Sequence, residues 1–269
     1  MKSQSLHRIP TPLIGLVLLL ASSAASAYQV LSPGSSHEGK TLADWNAAWW
    51  TWAWNSPAAT DPLGDTTGAL ANQENDGPVF FLAGSNFAGN IERTFDVPGG
   101  VALFFPTVNF WENCVGDVSQ SCPGYPADPK PTMLANAAAL QGTVTSQVAT
   151  IDGVPVTDLF SRWEQSDFFS GGTAQAGDAL SALYGSFGID IVGEDIAPSL
   201  VYGYYVMVTD LAPGLHTLVY GGSTSAFGGF NYQVTAHINV GAVPLPGALG
   251  LLAAGIGGLA PLARRRRHA

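Results

Sequence analysis

Basic residues are scarce in this chain of 269 residues, which contains 10 Lys and Arg against 20 Asp and Glu. Six of the ten lie near the two ends: Lys2, Arg8 and the C-terminal cluster Arg264–Arg267. The segment 28–242 holds the other four and all twenty acids, so its formal charge is −16. Such a body should repel nucleic acids and anionic lipid headgroups, whose phosphates need Lys or Arg partners, and it should attract cations. High negative charge also keeps a protein soluble.

Cysteine is rarer still, since Cys114 and Cys122 are the only two and frame the loop CVGDVSQSC. Two cysteines without histidine close to them in sequence make a poor zinc site. An even number in an exported chain instead predicts a disulfide. Because the enclosed loop is short, we expect it to contribute only about 2–3 kcal/mol, as a local clip on a loop rich in Pro and Gly.

No catalytic signature is complete in the sequence. The nucleophile elbow GxSxG is absent, and GGSTS around Ser223 does not fit it. His216 and His237 lie in strand-like segments, where histidine is more often structural than a general base. Glycoside hydrolysis needs two acids on facing elements. Nothing in the spacing singles out a pair among the candidate acids, which are Glu112, Asp117, Glu164 and Asp167.

An incomplete calcium motif lies in the polar, Gly-rich stretch after the first helix. Residues 72–77, NQENDG, match the opening of an EF-hand loop, with oxygen-bearing side chains at alternate positions and Gly at the sixth. The twelfth position is Ala83, where a bidentate Glu is needed, so the match fails. A solvated acidic loop and a Ca²⁺ site of another kind both stay open. The ligands of such a site would be Asp61, Asp65, Glu74 and Asp76.

The N-terminus has the three parts of a secretory signal peptide. Lys2 and Arg8 are positive, the run Leu13–Leu20 is apolar, and the small residues ASA precede Tyr28. The apolar run is shorter than the roughly 20 residues that cross a bilayer. We therefore predict cleavage after residue 27, in preference to a retained N-terminal anchor.

A tryptophan-rich helix is predicted at the start of the exported body, in WNAAWWTWAW. Thr41 can cap it, and Asp44 follows three residues later as an acidic variant of the capping box. Leu42, Trp45, Trp49 and Trp52 fall on one helical face, with Trp50 and Trp54 off it. A helix apolar over so much of its surface must be largely buried, so we expect it to seal a core.

The same tryptophans allow a second interpretation. Trp45, Trp49 and Trp52 could form a platform on which the apolar faces of sugar rings stack. This hypothesis requires at least two indole faces that are exposed to solvent and coplanar.

Strand patterns dominate the rest of the body. An Asp152-Gly153 turn between alternating runs predicts a hairpin, and residues 230–240 predict the last strand. The turn at 211–214 predicts that the following run pairs back onto the strand 199–210. A second, Ala-rich helix is predicted from Met133 to Gln147. Eight to ten strands joined by short turns predict a mainly β, antiparallel β-sandwich-like domain with a minor α component.

The last 27 residues differ in composition from the domain before them. They begin with a proline motif, continue with an apolar segment at 247–263 and end near an arginine cluster. The motif and the cluster comprise Val243, Pro244, Leu245, Pro246, Arg264, Arg265, Arg266 and Arg267. This order resembles the PEP-CTERM class of bacterial sorting signals, in a variant with Leu245 where the class more often has Glu. The resemblance implies export, transient insertion into the inner membrane and cleavage near Pro246 by an exosortase-like transpeptidase.

The body is similar to an uncharacterised family of exported prokaryotic proteins. The matching segments are WNAAWWTWAW, GPVFFLAG, VPGGVALFFPTVN and VYGYYVMVTDLAPGLHTLVYGG. The similarity implies only that these segments belong to one domain, since it carries no known activity. The expected organisation is a signal peptide at 1–27, an exported domain at 28–242 and a sorting signal at 243–269.

Three functions are compatible with this organisation. We favour a non-enzymatic protein of the envelope or extracellular matrix, with a structural, adhesive or glycan-binding role. Its partners would be signal peptidase, the processing enzyme and an extracellular polysaccharide, and not nucleic acid. The first alternative is a hydrolase that acts on an extracellular polymer through an acidic site, and the second is a permanently anchored envelope protein whose tail is never cut.

Overall fold

The computed structural model describes residues 28–116 and 121–243. The strands in these ranges are β1 (Gln29–Val30), β2 (Ser36–His37), β3 (Lys40–Thr41), β4 (Val79–Phe81), β5 (Gly89–Val97), β6 (Ala102–Asn113), β7 (Val144–Ile151), β8 (Val154–Pro155), β9 (Trp163–Gln165), β10 (Ser199–Thr209), β11 (Gly214–Thr224) and β12 (Phe230–Val240). The α-helices are α1 (Leu42–Asn55), α2 (Lys130–Gln141) and α3 (Ala179–Ser186). The predicted signal peptide and all but Val243 of the predicted sorting signal lie outside the described residues.

Two five-stranded sheets form the body, which confirms the mainly β, sandwich-like prediction. The first sheet has the order β1-β10-β6-β4, with β9 also paired to β10, and the second has the order β5-β12-β11-β7-β8. Most strand pairs are antiparallel, and β4–β6 and β5–β12 are parallel. A short hairpin of β2 and β3 precedes α1.

Apolar side chains fill both sides of the first sheet. Between the two sheets, Phe105 of β6 packs on Tyr220 of β11 with ring centroids 4.7 Å apart. On the opposite face, α1 buries Trp49 against Tyr205 of β10 and its neighbours. On the face that carries the second sheet, α2 covers the part of the first sheet that the second sheet does not reach. It does so through Met133 and Ala137. Strand β10 is therefore covered on both faces, which explains its continuous apolar sequence.

Helix α1 begins and ends where the sequence predicts. The Thr41 hydroxyl accepts a hydrogen bond from the Asp44 amide (3.1 Å), and the Asp44 carboxylate accepts one from the Thr41 amide (2.9 Å). The helix ends at Asn55, just before Pro57. Among the residues that the structure describes, no helix is both long enough and apolar enough to cross a membrane.

Helix α2 is shorter than predicted, and α3 was not predicted. Residues beyond Gln141 leave the helix at Gly142, and from Val144 they form β7 beside β11, because β-branched residues pack well in a sheet. Helix α3 is capped by the Asp178 carboxylate, which accepts from the Ser181 amide (2.6 Å).

Strands β10 and β11 do not pair with each other, contrary to the prediction. Strand β10 pairs with β6 in the first sheet, whereas β11 pairs with β12 and β7 in the second. The turn that begins at Asp210, in a left-handed conformation (φ 60°), therefore carries the chain from one sheet to the other. The predicted hairpin at Asp152 and Gly153 is confirmed, with β7 paired to β8.

The predicted disulfide is also confirmed. Cys114 and Cys122 are bonded, with their Cα atoms 5.5 Å apart, and both are buried. The bridge ties the end of β6 to the loop that leads into α2. It therefore fixes the position of Tyr125 and of the helix that follows.

Candidate functional site

A cavity of about 880 Å³ lies at one end of the sandwich, between α1, α2 and the loop that joins β11 to β12. Five successive residues of β6, from Val108 to Glu112, line it. Side chains alternate between the faces of a strand, so five in a row can line one cavity only if the edge of the strand faces it.

The pairing of β6 explains why this edge is open. On one side β10 pairs with β6 from Leu103 to Asn113. On the other side β4 pairs only with residues 102–104, and no further strand of the described ranges continues along that edge. The Tyr232 hydroxyl donates to the Pro106 carbonyl (3.2 Å) and the Tyr184 hydroxyl to the Asn113 carbonyl (3.2 Å). Between these two points the edge borders the cavity.

On the α1 side of this edge, three buried polar groups lie close together and form no hydrogen bond of normal geometry. They are the indole nitrogen of Trp50, the amide nitrogen of Asn109 and the hydroxyl of Tyr205. Burial raises the pKa of Tyr205 well above its usual value, and its interactions with the Asn109 and Trp50 side chains oppose this rise. Trp50 is only 6% exposed, and its ring packs against Trp111 with centroids 5.9 Å apart. Trp50 and Asn109 also line the cavity, so its α1 side combines an aromatic ring with a polar side chain.

On the α2 side of the edge, a second group of polar side chains surrounds Glu112. Its Oε1 accepts from the Asn136 amide nitrogen (2.7 Å) and from the Tyr125 hydroxyl (3.0 Å). Asn136 also donates to the Tyr125 oxygen (2.7 Å). The Glu112 Oε2 is buried. The Tyr202 hydroxyl interacts with the Glu112 carboxyl, although the two groups form no hydrogen bond of normal geometry.

Burial also sets the acid–base properties of this group. It raises the pKa of Glu112, and the hydrogen bonds from Asn136 and Tyr125 only partly oppose this effect. Burial and the charge of Glu112 together raise the pKa of Tyr125 to about 12. Burial and the charge of Glu112 also raise the pKa of Tyr202. The carboxyl group therefore sits in an environment that disfavours its negative charge in the absence of a ligand.

Aromatic side chains form the walls and the mouth of the cavity. Phe110 lies on the Glu112 side, and Phe227 packs against it with ring centroids 6.4 Å apart. Phe227 is 82% exposed and adopts a left-handed backbone conformation (φ 54°) in the loop between β11 and β12. Glu112 is the single acid among the described lining residues, and none of these is Lys, Arg or His.

The predicted tryptophan platform is wrong. Trp45, Trp49 and Trp52 are 6%, 0% and 8% exposed, and the rings of Trp49 and Trp52 make an angle of 64°. Their indole nitrogens donate to the carbonyls of His37, Leu82 and Gln73. The face formed by these three residues packs on the first sheet, so sugar stacking there is excluded and the core-sealing interpretation holds.

The structure does not bring the four candidate calcium ligands together. Both carboxylate oxygens of Asp65 accept hydrogen bonds from backbone amides. Oδ1 accepts from Thr67 and Gly68, and Oδ2 accepts from Leu70. Asp61 accepts from the Leu63 amide, while Glu74 and Asp76 are exposed. Within the described ranges, no group of three or more His, Cys, Asp or Glu side chains could hold a metal ion. These acids stabilise turns, which corrects the calcium hypothesis.

His216 and His237 lie away from the cavity. Both ring nitrogens of His216 are engaged, with Asp152 Oδ2 (2.7 Å) and the Ala212 carbonyl (2.8 Å). His237 contacts Glu92 (3.1 Å) and Thr217 (3.2 Å). These residues line a shallower depression on the second sheet.

Of the acids named from the sequence, only Glu112 lines the cavity. Glu164 is buried and accepts a hydrogen bond from the Gly34 amide (3.1 Å), and Asp167 is exposed. Asp117 lies outside the described residues. The structure therefore does not pair Glu112 with a second acid of this set.

Sequence reasoning named Glu112 without a partner and missed Asn109, Tyr125 and Asn136. The one usable signal was the presence of two amides and an acid, in NFWEN, within a strand that is otherwise apolar. Polar side chains in such a strand must find partners at a buried site.

No protein-family model matches the chain, and no curated protein matches it. Among solved structures, the solution structure of Amebosin is similar to it at 9% identity and a TM-score of 0.18. That match covers 57% of this chain and 100% of the other. A similarity this weak carries no information about fold or function. The function must be inferred from the cavity itself.

Proposed function

We propose that this protein is exported to the cell envelope or extracellular matrix and binds glycans in the cavity at the edge of β6. One observation carries the proposal: a cavity with aromatic walls is also lined by the polar side chains of Asn109, Glu112, Tyr125 and Asn136. A sugar ring carries hydroxyl groups around its edge and C–H groups on its faces. It therefore needs both hydrogen-bonding atoms and apolar, aromatic surface, and this cavity offers the two together.

The two sides of the cavity offer different hydrogen bonds. On the α1 side the Asn109 amide carries both donors and an acceptor, and on the α2 side the Glu112 carboxylate carries acceptors. The hydroxyl groups of a sugar can donate to either side and accept from Asn109. A ligand that reaches both would cross the open edge of β6, which favours an oligosaccharide over a single sugar.

Export and sorting rest on the two ends of the sequence. The signal peptide at 1–27 and the PEP-CTERM-like tail support secretion, removal by signal peptidase and processing near Pro246 by an exosortase-like enzyme. The disulfide between Cys114 and Cys122 supports an oxidising compartment. Together they favour an extracellular polysaccharide as the source of the glycan.

A hydrolase is the second candidate, and the raised pKa of Glu112 favours it. A general acid in a glycosidase has this property. However, hydrolysis by two carboxylates needs a second acid, and the described lining residues contain none. Incubation of the protein with oligosaccharides that it binds distinguishes the two candidates: appearance of shorter products supports the hydrolase, and their absence supports binding alone.

Glycan-array screening, followed by calorimetric titration of the hits, tests the proposal. We expect Asn109→Leu to weaken binding at least tenfold, because it removes a polar side chain from the wall of the cavity. Asn90→Leu is the matched control, since Asn90 is exposed on β5 outside the cavity. Absence of binding to any glycan, or equal affinity in the Asn109→Leu variant, contradicts the proposed function.

A further inference from the structure

We propose that the glycan is an amino sugar, and that its protonated amine pairs with the carboxylate of Glu112, the one acid among the described lining residues of the cavity. This inference rests on the proposed function and names the chemical class of the ligand. It follows from the charge of the cavity, from the hydrogen bonds already used at Glu112 and from the aromatic rings around it.

The charge of the cavity favours a cation. Among its described lining residues Glu112 is the one acid, and no basic side chain is present to neutralise it. The exported body carries a formal charge of −16, so its field attracts cations and repels acidic sugars. A neutral sugar would leave the buried carboxylate without a counter-charge, which is an expensive arrangement.

The groups that contact the Glu112 carboxyl are all neutral. Oε1 accepts from Asn136 and Tyr125, and the Tyr202 hydroxyl interacts with the same carboxyl. None of the three supplies a positive charge. An ammonium group has three N–H donors and carries the charge that these partners lack. Hydrogen bonds between charged partners are about twice as strong as neutral ones.

Aromatic rings surround the same position. Phe110 packs against Tyr202 (5.9 Å between centroids) and against Phe227 (6.4 Å). Ring faces attract ammonium groups, with energies of about 0.5–2 kcal/mol. Across the strand edge, the uncharged Asn109 amide lines the cavity, and it suits the hydroxyl and ring oxygens of the sugar. The two sides of the cavity thus fit the two ends of an amino sugar, the amine and the oxygens.

The titration of Glu112 supports this geometry. The groups that contact or influence its carboxyl are Asn136 on α2, Tyr125 in the preceding loop and Tyr202 on β10. Burial raises the pKa of Glu112, and an adjacent ammonium group lowers it again. Binding should therefore strengthen as the pH rises through the pKa of Glu112, and weaken again when the amine of the ligand loses its proton.

Calorimetric titration of the full chain with three oligosaccharides of equal length tests the proposal. The probes are built from glucosamine, N-acetylglucosamine and glucose. We expect the glucosamine oligomer to bind at least tenfold more tightly than the other two at neutral pH, and this preference to shrink with added salt. In Glu112→Gln the ratio between the glucosamine and N-acetylglucosamine affinities should fall to about one.

Glu74→Gln is the control, because it removes the same charge from an exposed position outside the cavity. It should keep the tenfold preference. Equal or tighter binding of the acetylated oligomer by the unmodified protein overturns the proposal without any variant, and so does a preference that survives in Glu112→Gln.

The two proposals fail in different ways. Binding of neutral oligosaccharides that is lost in Asn109→Leu, without preference for the amine, would retain the glycan site and reject the amino sugar. Absence of binding to all three oligomers rejects the amino sugar, and absence of binding to every glycan on the array rejects the glycan site as well.

Discussion

Asn109 and Glu112 belong to the same strand, yet they project from opposite faces of the first sheet into one cavity. Asn109 lies beside Trp50 of α1, whereas Glu112 accepts a hydrogen bond from Asn136 of α2. The cavity reaches both because β4 leaves the edge of β6 beyond Phe104 unpaired. An unpaired edge is a liability in most sheets, and here it forms the floor of the candidate site.

The Asn109→Leu variant should separate function from stability. The Asn109 amide nitrogen is buried and forms no hydrogen bond of normal geometry, so its replacement by an apolar side chain of similar size removes a desolvation cost. We expect the free energy of unfolding in urea to be unchanged or to rise by up to about 1 kcal/mol, while glycan binding falls. A loss of stability larger than about 1 kcal/mol would show that this amide has a structural partner.

Stability of the Glu112→Gln variant should depend on pH in a defined direction. The folded state raises the pKa of Glu112, so it binds this proton more tightly than the unfolded chain does. The stabilising contribution of the proton is complete below the ordinary carboxyl range and disappears as the pH rises through the raised value. Because Gln does not titrate, the Glu112→Gln variant does not lose stability in this way.

The variant should therefore gain stability relative to the unmodified protein between about pH 4 and pH 7, by less than about 1 kcal/mol since the carboxyl is only half-buried. Urea unfolding of both proteins at the two pH values measures the difference. Burial also raises the pKa values of Asp61 and Glu164. Both residues are present in both proteins, so their contributions cancel in the difference between the two free energies of unfolding. A difference that shrinks towards neutral pH contradicts the prediction.

Arg93 should be the most important single charge for stability. Its side chain is 3% exposed and donates to the carbonyls of Asp65 (2.8 Å), Ala83 (2.5 Å) and Gly84 (2.9 Å). Arg93→Met keeps the apolar stem but leaves buried carbonyls without this donor. We expect a loss of about 3–5 kcal/mol in the free energy of unfolding, measured in urea.

Lys40→Met is the matched control for Arg93→Met, because Lys40 is exposed. Its stability should change by less than about 0.5 kcal/mol. Since Gly84 lines the cavity, the Arg93→Met variant should also bind the glycan more weakly. Similar stabilities for the two variants would contradict the central role of Arg93.

Local signals in the sequence predicted local structure well. The Thr41–Asp44 capping box and the spacing of the tryptophans were sufficient for α1, because both act within a few turns of one helix. The Asp152-Gly153 turn likewise determined a hairpin, since its two left-handed residues reverse the chain directly. Cys114 and Cys122 could pair only with each other.

Pairing over long distances could not be predicted in the same way. An apolar alternation shows that β10 and β11 are strands, but it does not show in which sheet each one pairs. The cavity was harder still to predict from the sequence, because its residues come from four separate segments. They are Trp50, Asn109, Tyr125 and Asn136. Only the fold brings these residues together. The tryptophan platform failed for the same reason, since spacing defines a helical face without showing what covers it.

The C-terminal sequence makes a prediction that is independent of the cavity. The arginines at 264–267 should hold the end of the chain on the cytoplasmic side while the segment 247–263 crosses the membrane. Five glycines and three prolines between residues 243 and 263 make this segment a poor permanent helix, so we expect it to be a temporary anchor that is removed.

Intact mass measurement of the mature protein from its native host, with fractionation of the membranes, tests this prediction. We expect a chain that begins near Tyr28, ends near Pro246 and is absent from the inner membrane. Replacing the four arginines by glutamine should leave the chain uncut, whereas replacing them by lysine should preserve processing, because the positive charge sets the orientation. A mature protein that retains its arginines in the membrane fraction would instead establish permanent anchoring, and the cavity would then act at the membrane surface.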